Sequence, residues 1–574
     1  MRVILHADLD CFYAQVEQVR LGIPEDKAVV VQQWQSLIAV NYPARAHGIT
    51  RHMNITEAKQ KCPDLVSVHT AAYQLPPASS SSSNDVVLRQ FDPGNPPPAS
   101  ANHKVSLDAY RQASKSIFKL LRERFGSRTV EKASVDEAYL DVTEQVQERM
   151  DSEFPDWHQW NGDKVPADVE LDWTDLGHPA VTAADNADAV SMQDVQIWIG
   201  ALIARDLREE IKETLKYTCS IGIAPNKTLA KLASPRNKPD GQTYVTPTMV
   251  LPWMRTIPFD KIRFLGGKLG QQIMSTQKDD DDSDDSEREE EGEDWRKRTH
   301  ASGVVYAGDL WGLSLEEMQS KVSGDAQLAL WVYNLIRGQD DAPVKPRALT
   351  KTFLSAKNFR PPVTNEELLG RWMIVLTNEL QHRLEEEAVD TRRWPRTITL
   401  SYRKVDMPAP RSKALEFPFP SQSSSAQKIC ALVLSRLIKP LLSESLFPLG
   451  FLGVSLGRFT EVGEDARGMA TLDSFASAQQ ENRNIFECKP LFPPSTPTTS
   501  DAKVQKPKGK KAQTPTTSDI SQFFKKKAND NSNEPENSSY VCQKCSKQMS
   551  NAPEIIQEHQ DFHYAMQLAG LETS

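Results

Sequence analysis

Val3-Ile4-Leu5-His6-Ala7-Asp8-Leu9-Asp10 and Ala133-Ser134-Val135-Asp136-Glu137-Ala138-Tyr139-Leu140 are two apolar, strand-like runs, and each carries carboxylates. An ionised carboxylate taken out of water is costly unless a cation or hydrogen bonds offset the lost hydration. Acids set into two such runs therefore point to a shared divalent metal site, and hard oxygen ligands favour magnesium. With the strands side by side, Asp8, Asp136 and Glu137 can bracket two metal ions, and the Leu9 carbonyl supplies a further oxygen. Two such ions suit phosphoryl transfer, where one activates the attacking oxygen and the other stabilises the leaving one. Asp10 carries a different expectation. It immediately precedes Cys11 to Arg20, which has helical spacing, and a short acid there reads as a helix N-cap.

Working outward, residues 1 to 70 read as strand, helix, strand and helix, with β-branched runs at Ala28 to Val31 and Leu37 to Val40. The stretch 76 to 102, with Ser79 to Ser83 and Pro96 to Pro98, reads as a flexible insertion. Helical periodicity at 106 to 125 leads into the strand bearing Asp136. A long helix is expected over 192 to 217, a strand over Tyr217 to Ile223 and a short helix over Asn226 to Ala233. Strands and helices mixed in this way fit an α+β core. The turn Gly266-Gly267-Lys268-Leu269-Gly270 resembles a helix-hairpin-helix, whose exposed amides can hold a phosphate. A separate basic module follows at 345 to 465, with Lys345, Arg347, Lys351, Lys357, Arg360, Arg392, Arg393, Arg396, Arg403 and Lys404 flanking strand-like segments such as Thr397 to Tyr402. Beyond about 466 the composition is that of a tether.

The net charge of −9 over 574 residues hides an uneven distribution. Residues 144 to 190 hold 12 Asp/Glu against 2 Lys/Arg, and residues 279 to 294 hold 12 against 1, so the rest of the chain carries +12. A basic body with acidic insertions fits a polyanion-binding protein. The two acidic segments read as surface loops. Five scattered cysteines imply a reducing compartment, and no run has the length needed to cross a bilayer. A soluble, intracellular protein is expected. A phosphoryl donor with several negative charges needs cations opposite the metals. Candidates are Arg45 and Arg51 in Asn41-Tyr42-Pro43-Ala44-Arg45-Ala46-His47-Gly48-Ile49-Thr50-Arg51, and Lys238 in Asn237-Lys238-Pro239-Asp240-Gly241.

Asp8-Leu9-Asp10-Cys11-Phe12-Tyr13-Ala14-Gln15-Val16-Glu17, Asn41 to Arg51, Ser134-Val135-Asp136-Glu137, Ser220 to Lys227 and Asn237-Lys238-Pro239 together resemble the Y-family DNA polymerases, collinearly over roughly residues 1 to 465. Val31 to Val40 is most similar to the eta branch of that family. The resemblance implies a right-hand fold. Palm and fingers would occupy 1 to 255 (fingers about 20 to 75, insertions 76 to 102 and 144 to 190), a thumb 256 to 340 with an acidic insertion at 278 to 294, and a little finger 345 to 465. It further implies template-directed nucleotide addition past damaged bases such as cyclobutane pyrimidine dimers, with primer-template DNA and deoxynucleoside triphosphates as substrates. Asp8, Asp136 and Glu137 match the carboxylates that bind two Mg2+ ions, and Tyr13 matches the aromatic that blocks a ribose 2′-hydroxyl. Tyr42, Arg45 and Lys238 match triphosphate contacts, while Gln33 and Arg51 match positions facing the templating base and the incoming nucleotide. Two alternatives stand beside this reading: another lesion-bypass polymerase of the family, and a non-catalytic repair scaffold that binds clamp, ubiquitin and DNA.

In the tail, Cys542-x2-Cys545-x13-His559-x3-His563 has the spacing of one tetrahedral Zn2+ site, with both histidines on one face of a helix at about 553 to 568. That helix is acidic, which opposes docking on phosphate. Residues 539 to 570 resemble a ββα ubiquitin-binding zinc finger, and Asp561 matches the acid on its ubiquitin-facing side. In the linker 466 to 538, Ile520, Phe523 and Phe524 form an apolar anchor in a polar segment. Residues 517 to 524 resemble a motif that docks on the sliding clamp, with Thr517 where glutamine is usual. The partners so implied are a clamp that is itself ubiquitinated and ubiquitin, with no membrane, and the location is the nucleus.

Overall fold

The computed structural model describes residues 1–77, 86–160, 165–166, 169–181, 190–274, 304–346, 349–419, 425–442, 446–461, 540–541 and 548–549. The chain divides into two units, Met1–Met469 with Ala565–Ser574, and Ala470–Tyr564. In the second, the strands Tyr540–Val541 and Gln548–Met549 pair antiparallel. The zinc ligands Cys542, Cys545, His559 and His563, the residue Asp561, the clamp-like Ile520, Phe523 and Phe524, and the acidic run 278 to 294 all lie outside the described residues.

The first unit is α+β, as its alternation of strand and helix patterns predicts. Strand β1 (Ile4–Leu9) and helix α1 (Phe12–Leu21) lead into β2 (Val29–Gln33), β3 (Ser36–Val40), α2 (Tyr42–Ala46), α3 (Ile55–Lys61) and β4 (Val66–His69). After β5 (Ala72–Gln74), β6 (Leu88–Arg89) and β7 (His103–Val105) come α4 (Asp108–Phe125), β8 (Val130–Lys132), β9 (Glu137–Asp141), α5 (Thr143–Glu153), β10 (His178–Pro179) and α6 (Met192–Leu215). The chain continues through β11 (Cys219–Ala224), α7 (Lys227–Ala233), β12 (Gln242–Tyr244), α8 (Pro247–Arg255) and α9 (Lys268–Met274).

A six-stranded sheet in the order β10-β12-β11-β1-β9-β8 carries the acids, and β1 lies inside it, antiparallel to both neighbours. Both its faces are covered. Residues Val3, Leu5 and Ala7 face α6, where a Cβ at Gly200 would lie 2.7 Å from Val3. Residues Ile4, His6 and Asp8 face α7, since His6 Nδ1 meets Ser234 Oγ at 2.8 Å. This double cover explains why β1 reads as a nearly unbroken apolar run. Helix α6 starts on a capping box, with Ser191 Oγ accepting from Asp194 N–H and the Asp194 carboxylate accepting from Ser191 N–H. Gly222 in β11 lets α7 lie close, because a Cβ there would stand 2.0 Å from Ala230 O.

The structure corrects two readings of insertions. Most of 144 to 190 is built into the sheet and its cover rather than looped out. Helix α5 follows β9, β10 pairs with β12, and Leu176 and Ala180 are buried. Trp173 stacks on Tyr244 at 4.0 Å and Trp198 Nε1 donates to Asp172 O at 2.7 Å. Net acidity masked the aromatic anchors Trp173 and Trp198. Likewise, of the stretch 76 to 102, residues 86 to 102 are folded, with β6 joining the three-stranded sheet β6-β5-β7 and Phe91 buried edge-on to His69. Its serines Ser79 to Ser83 lie outside the described residues.

A four-stranded sheet from Thr352–Val363, Leu449–Gly457, Thr397–Lys404 and Arg411–Glu416 forms the C-terminal part, backed by the helix Glu366–Thr391. Its core includes Trp372, Leu376 and Leu380, and Tyr73 of β5 is buried in the same cluster. Two of its basic residues are held by the fold itself. Arg393 is buried against Glu387, and Lys357 Nζ donates to Ser100 O and His103 O, both at 2.9 Å. Beside it, Lys104 pairs with the fully enclosed Glu379, which also takes Ser355 Oγ–H at 2.6 Å and the Arg383 guanidinium. Burial, with the Lys104 charge, pushes the Lys357 ammonium down to about 7. Its folded pKa lies below the unfolded value, so the unfolded state binds the proton more tightly between about pH 7 and 10.5, and stability rises with pH across that window. Lys357→Met should flatten this slope by at most about 3 kcal/mol between pH 7 and 9.5. Urea unfolding at the two pH values measures it, and an unchanged slope refutes the assignment.

Candidate active site

The register of the sheet brings the acids together. Asp8 stands opposite Glu137 on one side of β1 and opposite Ser220 on the other. Asp136 sits one residue earlier, in the β8–β9 turn rather than in a strand, and its carbonyl accepts from Leu9 N–H at 3.0 Å. Ala133 N–H and Ser134 N–H both donate to Glu137 O, which closes this turn. Ser134 Oγ donates to Asp136 Oδ1 at 2.5 Å and orients it.

Two lysines occupy the acids. Lys238 Nζ lies 2.7 Å from Asp8 Oδ1 and 3.4 Å from Asp10 Oδ1, and it donates to Asp8 O at 3.3 Å and Leu9 O at 3.5 Å. Lys231, on α7, donates to both Glu137 oxygens at 2.8 Å. Among the described residues, no three of His, Cys, Asp or Glu are gathered as a ready metal cage. Asp8 and Asp136 are nevertheless short of positive charge. Burial, against the pull of Lys238 and with the charges of Glu137 and Asp136, raises Asp8 to about 6. Burial also raises Asp136, and Glu137 adds to the effect. Behind them His6 is held neutral by burial and by the charges of Lys231 and Lys238. Sequence reading missed Lys231 and His6. The available signal was a second lysine four residues after Lys227 on one face of a short helix.

Asp10 is not a helix cap. The N-cap of α1 is Cys11 in the left-handed region, with no side-chain cap bond. The buried Asp10 carboxylate instead accepts from Ser220 Oγ at 2.9 Å and Asp240 N at 2.8 Å. It thereby ties the Lys238 turn to the end of β1, a long-range role that local spacing does not reveal.

The remaining candidates surround this centre. Asn41 caps α2 by accepting from Ala44 N at 3.0 Å, also accepts from Val29 N, and donates to Lys27 O. The fixed helix puts Tyr42 near Lys238 and Asp10, whose charges act on its hydroxyl. That hydroxyl is buried with no partner among the described residues. The Arg45 guanidinium lies over the Tyr42 ring at 4.5 Å, with Nε donating to Val40 O. Tyr13 stacks on Tyr110 at 4.0 Å and 14°. Burial and the Asp136 charge push its hydroxyl up to about 12, while Arg51 acts in the opposite sense. Arg51 is exposed, and Gln33 ends β2 opposite Ser36 at the hairpin.

A sheet that sets paired acids against lysines, with a stacked aromatic beside them, matches known sequences. The impB/mucB/samB family matches residues 7–235, and the impB/mucB/samB family C-terminal domain matches residues 350–470. The chain belongs to this family. It is the Y family of the resemblance, and the six-stranded sheet, apart from β12 and the first residues of β1, and the four-stranded C-terminal sheet fall in its two matched regions. A Ubiquitin-Binding Zinc Finger matches residues 538–569. Similar proteins include N-acetyltransferase eso1 of Schizosaccharomyces pombe, 31% identical over 82% of this chain and 50% of that protein. DNA polymerase eta of Drosophila melanogaster is 29% identical over 85% and 52%, and DNA polymerase eta of Saccharomyces cerevisiae 27% over 69% and 67%. The chain spans about half the length of the first two and two thirds of the third. Among the described residues no helix is long and apolar enough to cross a membrane.

Proposed function

We propose that the chain is a template-directed DNA polymerase that inserts deoxynucleotides opposite damaged bases, cyclobutane pyrimidine dimers among them, in the nucleus. The observation that carries this reading is the register of β1, with Asp8 across from Glu137, Asp136 at the adjoining turn and Lys238 against Asp8. In right-hand terms, 1 to 255 is palm and fingers, 256 to 340 thumb and 345 to 465 little finger.

The residues fit a hard divalent cation: Asp8 and Glu137 stand opposite each other at one sheet end with Asp136 in the adjoining turn, and Asp8 is short of compensating charge. Asp8, Asp136, Glu137 and the Leu9 carbonyl would hold two Mg2+ ions, which when bound lower the pKa of the primer 3′-hydroxyl and stabilise charge on the departing pyrophosphate. Lys238, Arg45 and the unpartnered Tyr42 hydroxyl bind and orient the triphosphate. Tyr13, backed by Tyr110, fills the space a 2′-hydroxyl needs. Gln33 and Arg51 face the templating pair. No side chain is covalently modified, and catalysis rests on positioning and charge neutralisation. Primer extension with magnesium on intact and dimer-containing templates tests the reading. Equal extension opposite the dimer and the intact thymines is expected, and failure on both refutes it.

Cys542, Cys545, His559 and His563 would hold one structural Zn2+, with Asp561 toward ubiquitin, and Ile520, Phe523 and Phe524 would dock on a ubiquitinated sliding clamp. Cys542→Ala should abolish ubiquitin binding, seen by titration calorimetry, and leave primer extension on naked DNA unchanged. Retained ubiquitin binding would exclude a zinc-built site.

A further inference from the structure

Two lysines four residues apart on α7 each hold both oxygens of one glutamate. Lys227 Nζ donates to the two Glu131 oxygens at 2.7 Å, and Lys231 Nζ donates to the two Glu137 oxygens at 2.8 Å. We infer that Lys231 is an exchangeable counter-ion: a positioning residue that holds the Glu137 carboxylate and competes with a divalent cation for it, and so sets how tightly the site binds metal. This rests on the reading of Glu137 as a metal ligand given above.

The helix itself cannot carry Lys231 away. A Cβ at Gly222 would stand 2.0 Å from Ala230 O, so α7 lies directly on β11. Its start is fixed by Asn226, which accepts from Leu229 N–H at 3.0 Å and donates to Gly338 O at 2.8 Å. Lys231 can therefore release Glu137 only by swinging its side chain. It has room to do so, being 31% exposed, whereas the Lys227 side chain is 7% exposed. Lys238 is also less free, because it is anchored on the Asp8 and Asp10 carboxylates and near the Asp8 and Leu9 carbonyls. The Lys231 ammonium has Glu137 as its sole anchor among the described residues.

Glu137 in turn depends on that one cation. His6 Nε2 stands 3.9 Å from Glu137 Oε2, too far for a hydrogen bond, and the imidazole is braced on Ser234 Oγ at 2.8 Å. A carboxylate only a quarter exposed is costly without a compensating charge. An ammonium or a metal ion can supply that charge, but the two repel each other on the same carboxylate. A divalent ion that takes Glu137 must therefore displace Lys231 or bear its repulsion, and its affinity is lowered accordingly. An ion pair with only a structural role predicts the opposite sign, since loosening Glu137 would weaken metal binding.

The test titrates Mn2+ into the full chain at about 0.15 M salt, where charges more than about 8 Å apart are screened. Free Mn2+ is counted by its electron paramagnetic resonance signal. Glu137→Gln should weaken the binding of one ion, which identifies the site. Lys231→Met should tighten that same ion about tenfold, Lys231→Arg should keep the wild-type affinity, and the gain should vanish when Lys231→Met is combined with Glu137→Gln. Arg263 lies over the Tyr139 and Phe264 rings at 5.7 and 4.6 Å and pairs with no carboxylate among the described residues. Arg263→Gln removes that nearby charge and should leave the affinity within about twofold. An affinity that is unchanged or weaker in Lys231→Met, or that rises as much in Arg263→Gln, overturns the inference and leaves Glu137 a ligand. Unaltered Mn2+ binding in Glu137→Gln would instead overturn the metal-site reading, and the inference with it.

Discussion

Asp8→Asn should yield a folded protein that is more stable than the wild type without metal and yet extends a primer about a thousandfold more slowly, or worse. The two effects share one cause. Burial raises the Asp8 carboxyl to about 6, even though Lys238 lies 2.7 Å away. A folded pKa above the unfolded value means that the folded state holds the proton longer. The contribution of this group is therefore full below about pH 4, falls as pH rises to about 6, and remains a penalty of about 3 kcal/mol above that. A neutral amide removes the penalty, so the metal-free variant should melt several degrees higher at pH 7.5. Magnesium should raise the melting temperature of the wild type and leave the variant unmoved. Thermal unfolding with and without magnesium, beside rapid-quench extension, reads all of this. Extension within tenfold of wild type would remove Asp8 from the metal site.

Tyr13→Ala should cost ribonucleotide rejection about a hundredfold while deoxynucleotide insertion falls far less. The ring is not free to swing aside, because it stacks on Tyr110, whose hydroxyl donates to Glu17 at 2.8 Å, and Glu17 in turn pairs with Arg20. A wall held from behind discriminates by shape, and shape is lost on truncation to a methyl group. Tyr110→Phe keeps the stack and loses only the hydrogen bond, so it should relax rejection by only a few fold. Single-nucleotide insertion of matched ribo- and deoxynucleotides measures both variants. Unchanged discrimination in Tyr13→Ala would assign the gate elsewhere.

Much of the framework was legible because it is local. The apolar run of β1, the helical spacing of α1, α4 and α6, and the short helix α7 each announce themselves within a few residues. Acids in apolar strands also pointed to their own meeting, since the cost of burying them demands a reason. What local pattern could not carry was pairing across the chain. Asp10 looked like a cap from its neighbours, and only Ser220 and Asp240, more than two hundred residues away, explain its burial. Composition misled at 86 to 102 and in the acidic 144 to 190, where Phe91, Trp173 and Leu176 outweigh the polar majority by packing. Lys357 was grouped with the basic residues of the 345 to 465 module because nothing in its vicinity along the chain foretells Ser100 and His103.

The bonds that reach from Pro76, Ser100, His103, Lys104, Asp108 and Lys115 to Arg371, Lys357, Glu379, Arg383 and Glu386 have a further meaning. They make the C-terminal sheet a docked cartridge rather than a bead on a string. Two polypeptides, one ending before Thr352 and the other beginning there, would carry matching halves of a lock made of ion pairs, cations held on backbone carbonyls and the buried Tyr73 ring. Salt would then loosen the exposed Lys115–Glu386 end of that lock and leave the buried Lys104–Glu379 pair largely untouched.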